Sequence, residues 1–418
     1  MIWLGLEKVL RILFSLVATF FVARELGAEK FGALNYIFGL VLITSTIANL
    51  GFDSLLVREV SLQEFSKRKL VISCFKIKSI VIFVGIAFLA LFMSYLDPSP
   101  LEKSLFIPFV LVLFLSAFQV FEFYFLAVTE SRLSVSAYFW GGILANLGKI
   151  IGLYFGVDLV FIAYMYVLEY FVSGFLMYFY FYKNTSEDSK EIKEGTIKAI
   201  LMDSLPLVLA GVSVMIYMKI DQIMLRSFLG LREVGEYSAA VKLSEGIYFI
   251  PVVIVGSYFS KWVKEYKFGD DYLRSVEKVV SFLMLVAFSY MSFIWIFGDY
   301  VVNILYGDQY LKTAEILRLH TISAFFVFLG VVSSKVLILK NLEKIVFYMS
   351  LIGAALNICL NLYFIPNFGG EGAAVATILS YFFSGYFCLF FFRSTRKIAF
   401  RISKSIFPIW LFKMNKNQ

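Results

Sequence analysis

Four lysines, Lys149, Lys219, Lys242 and Lys335, fall within long apolar stretches of this 418-residue chain. A Lys or Arg at a bilayer centre costs ~2.5–3.5 kcal/mol on insertion scales, so such residues pair, reach an interface or face a wet cavity. Lys149 has the most telling neighbours. Gly141, Ala145, Gly148 and Gly152 recur at helical spacing and form a small-residue stripe on which another helix can pack closely. Gly142, Asn146 and Lys149 form the adjacent stripe, which points into a bundle rather than at lipid. A cation there either binds an anion or pairs with a carboxylate such as Glu169 or Glu122. Lys219 shares a helical face with Gln222 and Arg226, whereas Asp221 points elsewhere. Lys242 and Glu245 are three residues apart, which suits either an intrahelical pair or a cavity lining. Arg11 serves as a cavity mouth or as an anchor at the membrane surface. Lys335, Arg24 and Arg58 fit interfacial anchoring. The carboxylates Glu122, Glu169 and Glu245, with Asp203 and Asp221 near span ends, are proton or cation sites, or partners of the lysines. A cationic cavity suits an anionic substrate such as one carrying phosphate.

Other chemistry is excluded by simple counts. The chain has one histidine, His320, so a multi-histidine metal centre is ruled out; a hydrogen-bonded structural role fits it best. Cys74, Cys359 and Cys388 lie in or beside apolar runs and read as packing residues. No nucleotide-binding, hydrolase or redox motif is present, so neither an enzyme nor a cofactor is expected.

The residues that carry these groups are 60% hydrophobic and 16% charged, with a mean hydropathy of +0.83. Soluble domains run at ~45–50% apolar and ~25% charged. The expected fold is therefore an all-α polytopic membrane protein. At ~20 residues per span, twelve spans are expected. The first six lie at roughly 4–24, 33–52, 73–96, 104–127, 133–155 and 159–182. The second six lie at roughly 200–223, 235–260, 277–297, 316–338, 343–366 and 371–393. The polar run 183–199 divides them, giving an N-terminal lobe 1–182, a cytoplasmic linker 183–199, a C-terminal lobe 200–393 and a basic tail 394–418. The tail is too short and charged to span, and its apolar residues suit a membrane surface. With the N-terminus inside, most of the 38 Lys and Arg residues fall in cytoplasmic segments, so both termini are expected there. The net charge of +8 is a loop effect rather than a sign of nucleic acid. Leu26-Gly27 with Gly32 and Leu229-Gly230 with Gly235 repeat one spacing about half a chain apart, which points to an internal repeat.

Several motifs carry a family resemblance. Ala23-Arg24-Glu25-Leu26-Gly27 with Phe31-Gly32 resembles the first hairpin, and Leu50-Gly51-Phe52 with Leu55-Leu56-Val57-Arg58-Glu59 the end of the second span, of Wzx-type polysaccharide (O-antigen) flippases. These belong to the multidrug/oligosaccharidyl-lipid/polysaccharide exporter superfamily. Phe155-Gly156-Val157-Asp158-Leu159 resembles their turn between spans five and six. Pro206 and Lys219-Ile220-Asp221-Gln222-Ile223-Met224-Leu225, followed by Leu229-Gly230, Gly235, Tyr237-Ser238-Ala239-Ala240 and Pro251, resemble their spans seven and eight. Pro366, Gly369, Gly372-Ala373-Ala374 and Ala376-Thr377 resemble the turn into span twelve. Arg226 departs from the pattern, standing where a small residue is common, and adds a cation near the outer mouth.

The resemblance implies two six-helix lobes of MATE-like (multidrug exporter) fold, forming a V that alternates between inward and outward openings. It implies a multi-pass protein of the bacterial inner membrane that flips undecaprenyl-diphosphate-linked oligosaccharide units to the periplasmic leaflet for O-antigen or other surface polysaccharide. Its partners would be that lipid-linked glycan, membrane lipids, and the polymerase and chain-length machinery of the same pathway. The expected substrate-binding set is Lys149, Lys219, Lys242, Arg11, Arg226 and Asn146, with sugar contacts from faces such as Trp140 and Tyr217. Glu122, Glu169, Asp221 and Glu245 are the ion-coupling candidates. The alternatives are a drug or cation antiporter of the same superfamily and a membrane-embedded polysaccharide polymerase.

Overall fold

A computed structural model describes residues 2–62, 66–185, 196–266 and 272–406. The described residues form helices and no strands. The N-terminal helices are α1 (Ile2–Ala48), α2 (Phe52–Leu62), α3 (Lys67–Tyr95), α4 (Pro100–Leu115), α5 (Gln119–Ala127), α6 (Ser131–Tyr154) and α7 (Leu159–Asn184). After α8 (Thr196–Leu229) come α9 (Leu231–Glu245), α10 (Phe249–Tyr266), α11 (Tyr272–Tyr306), α12 (Thr313–Thr321), α13 (Ser323–Leu339), α14 (Glu343–Gly385) and α15 (Arg396–Ile406).

Nine helical segments among the described residues are long and apolar enough to cross a membrane, against the expected twelve. The difference lies in α1 and α14, each of which joins two helices across a non-helical glycine, Gly27 and Gly369, and in α6, which carries Lys149. Large apolar side chains face outward. Phe83, Val84, Phe88 and Leu91 of α3 are 59–71% exposed, a row that only lipid can cover. The protein is a multi-pass membrane protein.

The repeated glycines share one backbone conformation. Gly27 has φ 78° and ψ 167°, and Gly230 has φ 92° and ψ −178°. A side chain at either position would sit in a region that L-residues rarely occupy, so glycine is what lets one helix end and the next begin there. The two leucine-glycine motifs thus do the same structural job in both halves.

The chain divides into two compact units, Met1–Met215 and Ile216–Gln418, with the boundary inside α8. Residues 186–195 of the expected linker lie outside the described residues, as do 407–418 of the tail. In the first unit α6 packs on α7 and α1, and α4 packs on the same two helices. The glycine stripe makes the α6–α7 contact. A Cβ on Gly141 would lie 2.7 Å from Glu169 O, one on Gly148 2.5 Å from Met165 Sδ, and one on Gly152 2.5 Å from a Phe161 ring carbon. In the second unit Trp262, Tyr272, Leu283, Phe328 and Leu337 centre a core shared by α10, α11 and α13, which Ile398 and Ile402 of α15 complete.

Candidate functional site

The first unit gathers charge around a cavity of about 170 Å³. Arg11, Gln119, Tyr138, Glu169, Tyr170 and Ser173 supply its polar lining. The cavity lies where span four breaks. α4 gives way to a 3-10 turn, Ser116–Phe118, and α5 restarts at Gln119. Arg11 lies over the Tyr138 ring, 5.0 Å from its centroid, and Tyr138 Oη donates to Glu122 Oε2 at 2.6 Å. The side chain of Arg11 runs past Gly142, where a Cβ would come within 3.5 Å of it.

Lys149 is 2% exposed and sits behind Glu169. Its Nζ lies 3.9 Å from Glu169 Oε2, donates to Asn146 Oδ1 at 3.2 Å, and stands 3.5 Å from the centroid of the Tyr166 ring. A desolvated cation–π contact is worth ~2 kcal/mol or more, so Tyr166 and Glu169 together offset much of the burial cost. The sequence reading placed Lys149 on the cavity wall or in a carboxylate pair; it pairs, and it reaches the cavity through Glu169. Asn146 Nδ2 is buried without a hydrogen-bond partner, which leaves an unused donor beside the ammonium.

Lys78, near the start of the third span, is a further buried cation. It is fully buried in α3, and its Nζ donates to Asn49 Oδ1 at 3.1 Å and to Gln119 Oε1 at 3.3 Å. One lysine therefore ties the turn after α1 to the cavity wall. Among the described residues of the first unit, Arg11, Lys78 and Lys149 are buried or cavity-lining cations, with Glu122 and Glu169 among them.

The second unit is built around a carboxylate. Asp221 is 2% exposed. Its Oδ2 accepts from Tyr237 Oη at 2.5 Å and Thr377 Oγ1 at 2.7 Å, and its Oδ1 from Asn361 Nδ2 at 2.6 Å. Asn361 Nδ2 also donates to Asn357 Oδ1 at 3.0 Å, while Asn361 Oδ1 and Asn357 Nδ2 are buried without partners. Glu245 lies within electrostatic reach of Lys219, Lys242 and Asp221, so the Lys242–Glu245 spacing does produce a charge group. Lys219 and Lys242 are half-buried, and Arg226 occupies the last turn of α8. Trp140 is 51% exposed, and Tyr217 packs edge-on against Tyr381, 5.3 Å between centroids.

His320 has the structural role expected of it. It is buried, and its Nδ1 lies 2.9 Å from Ser244 Oγ. The bond spans two helix breaks, between α9 and α10 and between α12 and α13. Tyr248 and Ser323, 2.6 Å apart, and Tyr290, donating to Leu243 O at 2.8 Å, tie the same breaks. Lys335 lies 5.6 Å from the Phe259 ring centroid. Outside the spans, Lys312 pairs with Glu233 at 2.6 Å, and that hydrogen-bonded carboxylate pushes the lysine pKa above its ordinary 10.5.

The sequence gives no site role to Lys78, Gln119 and Tyr138 in the first unit or to Asn357 and Asn361 in the second, and it shows Tyr237 and Thr377 only as motif residues. The Asn357–Asn361 spacing, one turn apart within an apolar helix, was the available signal.

The comparisons with known proteins agree with this architecture. The chain superposes on an inward-closed lipid II flippase MurJ with a TM-score of 0.76 and 16% identity, covering 99% of this chain and 93% of that one. An inward-facing multidrug resistance MATE transporter of the MOP superfamily gives 0.71 and 14%, covering 94% and 96%. A MOP superfamily transporter from Pyrococcus furiosus, described as having a binding pocket of reverse polarity, gives 0.64 and 14%, covering 96% and 95%. In sequence, the chain is 27% identical to an uncharacterized membrane protein of Methanocaldococcus jannaschii over 195 residues, 46% of this chain and 38% of that protein. These relatives of fold are transporters and flippases, not enzymes. A family described as polysaccharide biosynthesis protein matches residues 1–263, more than half the chain, and the chain belongs to that family.

Proposed function

We propose that this protein translocates a lipid-linked glycan, an oligosaccharide carried on undecaprenyl diphosphate, from the cytoplasmic to the periplasmic leaflet of a bacterial inner membrane. The product would feed O-antigen or other surface polysaccharide assembly, in company with a polymerase and chain-length machinery. The observation that carries the reading is a hydrogen-bonding cavity lined by Arg11, with Lys78 and Lys149 held behind its Gln119 and Glu169, in a chain of this family. The task needs no covalent step. A diphosphate and its sugar must be shielded from hydrocarbon, and buried cations, tyrosine hydroxyls and amides do that. Arg11 offers a planar fork suited to phosphate oxygens. Tyr138, Tyr170, Gln119 and Glu169 match sugar hydroxyls, which both donate and accept.

In this reading Lys149 and Asn146 tune Glu169, Lys219, Lys242 and Arg226 add positive potential in the second unit, and Asp221 is the coupling site for a proton or small cation. Glu122, Glu169 and Glu245 serve as partners of cations rather than as coupling sites. The test is transport by reconstituted protein of a fluorescent isoprenoid-diphosphate glycan. Arg11→Ala should slow transport at least tenfold without loss of folded protein; unchanged transport would refute the assignment.

The buried carboxylate Asp221 favours a second reading, a cation or drug antiporter. Proton- or sodium-driven uptake of a cationic dye, abolished in Asp221→Asn, would select it over the first.

A further inference from the structure

α15 is two-faced. Ile398, Ala399 and Ile402 are buried in the core of the second unit. Polar contacts fix the helix in register. Arg401 pairs with Glu277 of α11 at 2.8 Å, Ser281 Oγ donates to Ser405 O at 2.8 Å, Tyr386 Oη lies 2.7 Å from Ser403 Oγ, and Arg396 Nε donates to Phe390 O at 2.9 Å. At about 3.6 residues per turn, the arc opposite the buried face carries Arg396, Lys397, Phe400, Arg401 and Lys404. All five are exposed. Phe400, 59% exposed, sits at the middle of this arc, with its ring centroid 5.5 Å from that of Phe390, and Phe391 beside it is 62% exposed.

This combination identifies the partner. Cations alone would suit water or any acidic protein. Cations ringing outward-facing phenyl groups, on a helix docked against the first turns of α11, suit the boundary between headgroups and acyl chains. There the ammonium and guanidinium groups meet phosphate while the rings enter the upper acyl region. The docked apolar face also excludes the simpler arrangement, in which an amphipathic tail buries its aliphatic side in the membrane. Here the aliphatic side is already used by the protein. We propose that the outward face of α15 is a docking surface for anionic phospholipid headgroups, which pins the second unit to one leaflet and makes its stability depend on lipid charge.

The experiment uses the full-length protein, titrated in detergent with phosphatidylglycerol or phosphatidylcholine and read by native mass spectrometry. The double variant Lys397→Gln, Lys404→Gln leaves the contacts of Arg396, Arg401 and Ser403 in place. Phosphatidylglycerol should bind the wild type more tightly than phosphatidylcholine, and its affinity should fall about fivefold for each charge removed. Phosphatidylcholine binding should not change. Equal binding of the two lipids to the wild type, or undiminished phosphatidylglycerol binding to a folded variant, overturns the proposal. If the variant does not fold, the wild type decides alone, since a headgroup preference that does not weaken with salt is not electrostatic. A third titration, with an isoprenyl diphosphate, separates this surface from the proposed cargo site: if that ligand binds α15 in preference to phosphatidylglycerol and is lost in the variant, the surface belongs to the cargo and the proposal fails.

Discussion

The two units bury charge in opposite ways. In the first, cations are held by aromatic faces, amides and carboxylates in and behind a cavity, and Asn146 keeps an unused donor beside Lys149. In the second, a carboxylate is closed in by three neutral donors, all of them nearly inaccessible. An arginine lining a cavity has donors to offer a ligand, whereas a buried carboxylate that already accepts three hydrogen bonds has little room for anything larger than a proton or a bare cation. On the proposed function, the difference separates binding a large polar cargo from sensing a small ion, and the two units divide those tasks.

Charge reversal breaks this comparison most severely. Lys149→Glu would set a second carboxylate against Glu169 in a buried site, where loss of one partner of an ion pair costs ~3–5 kcal/mol. The folded fraction in detergent, read by size-exclusion chromatography, should collapse, and adding Glu169→Lys should recover part of it. Next comes packing. Gly141→Ala places a Cβ against backbone oxygen and should cost ~1–3 kcal/mol, whereas Gly148→Ala meets only a flexible methionine and should cost less. Thermal unfolding ranks the two, and the reverse order would mean that α7 yields more readily than Met165.

Tyr237→Phe removes one donor from Asp221 and should lower stability by ~1.5–3 kcal/mol, with ion dependence of transport altered more than cargo affinity. An equal effect on both would erase the division of labour. The smallest effect belongs to the outer clamp. Lys312 is 57% exposed in its side chain, so Lys312→Met should cost no more than ~1 kcal/mol. Its pKa is raised, so the contribution is fully present below 10.5 and is lost only as pH climbs through the higher folded value. The stability gap between variant and wild type should therefore hold constant from neutral pH into the mildly alkaline range.

Much of the scaffold was legible in the sequence because local rules dictate it. Apolar run length gave the spanning helices, the glycine stripe gave the α6–α7 contact, and the repeated leucine-glycine gave matching breaks at Gly27 and Gly230. Part of the charge group is legible for the same reason, since helical spacing puts Gly142, Asn146 and Lys149 on one inward face and leaves Glu169 or Glu122 as the partner, of which Glu169 is the one found. Lys78 was lost because it lies near the start of a long helix, where a lysine looks interfacial; only the fold shows amide oxygens from Asn49 and Gln119 converging on it. The Asp221 group was lost because its partners come from far along the chain, Asn361 at a separation of 140 residues and Thr377 at 156. No periodicity connects such positions.

The most direct test of the account compares cargo binding with ion dependence in one preparation. Wild type, Arg11→Ala and Asp221→Asn are reconstituted in proteoliposomes with a fluorescent isoprenoid-diphosphate glycan, and transport is followed against cargo concentration and ion gradient. The account predicts that Arg11→Ala raises the half-saturating cargo concentration at least tenfold and leaves ion dependence intact, while Asp221→Asn removes ion dependence and leaves cargo affinity intact. Cargo affinity unchanged in Arg11→Ala would contradict it.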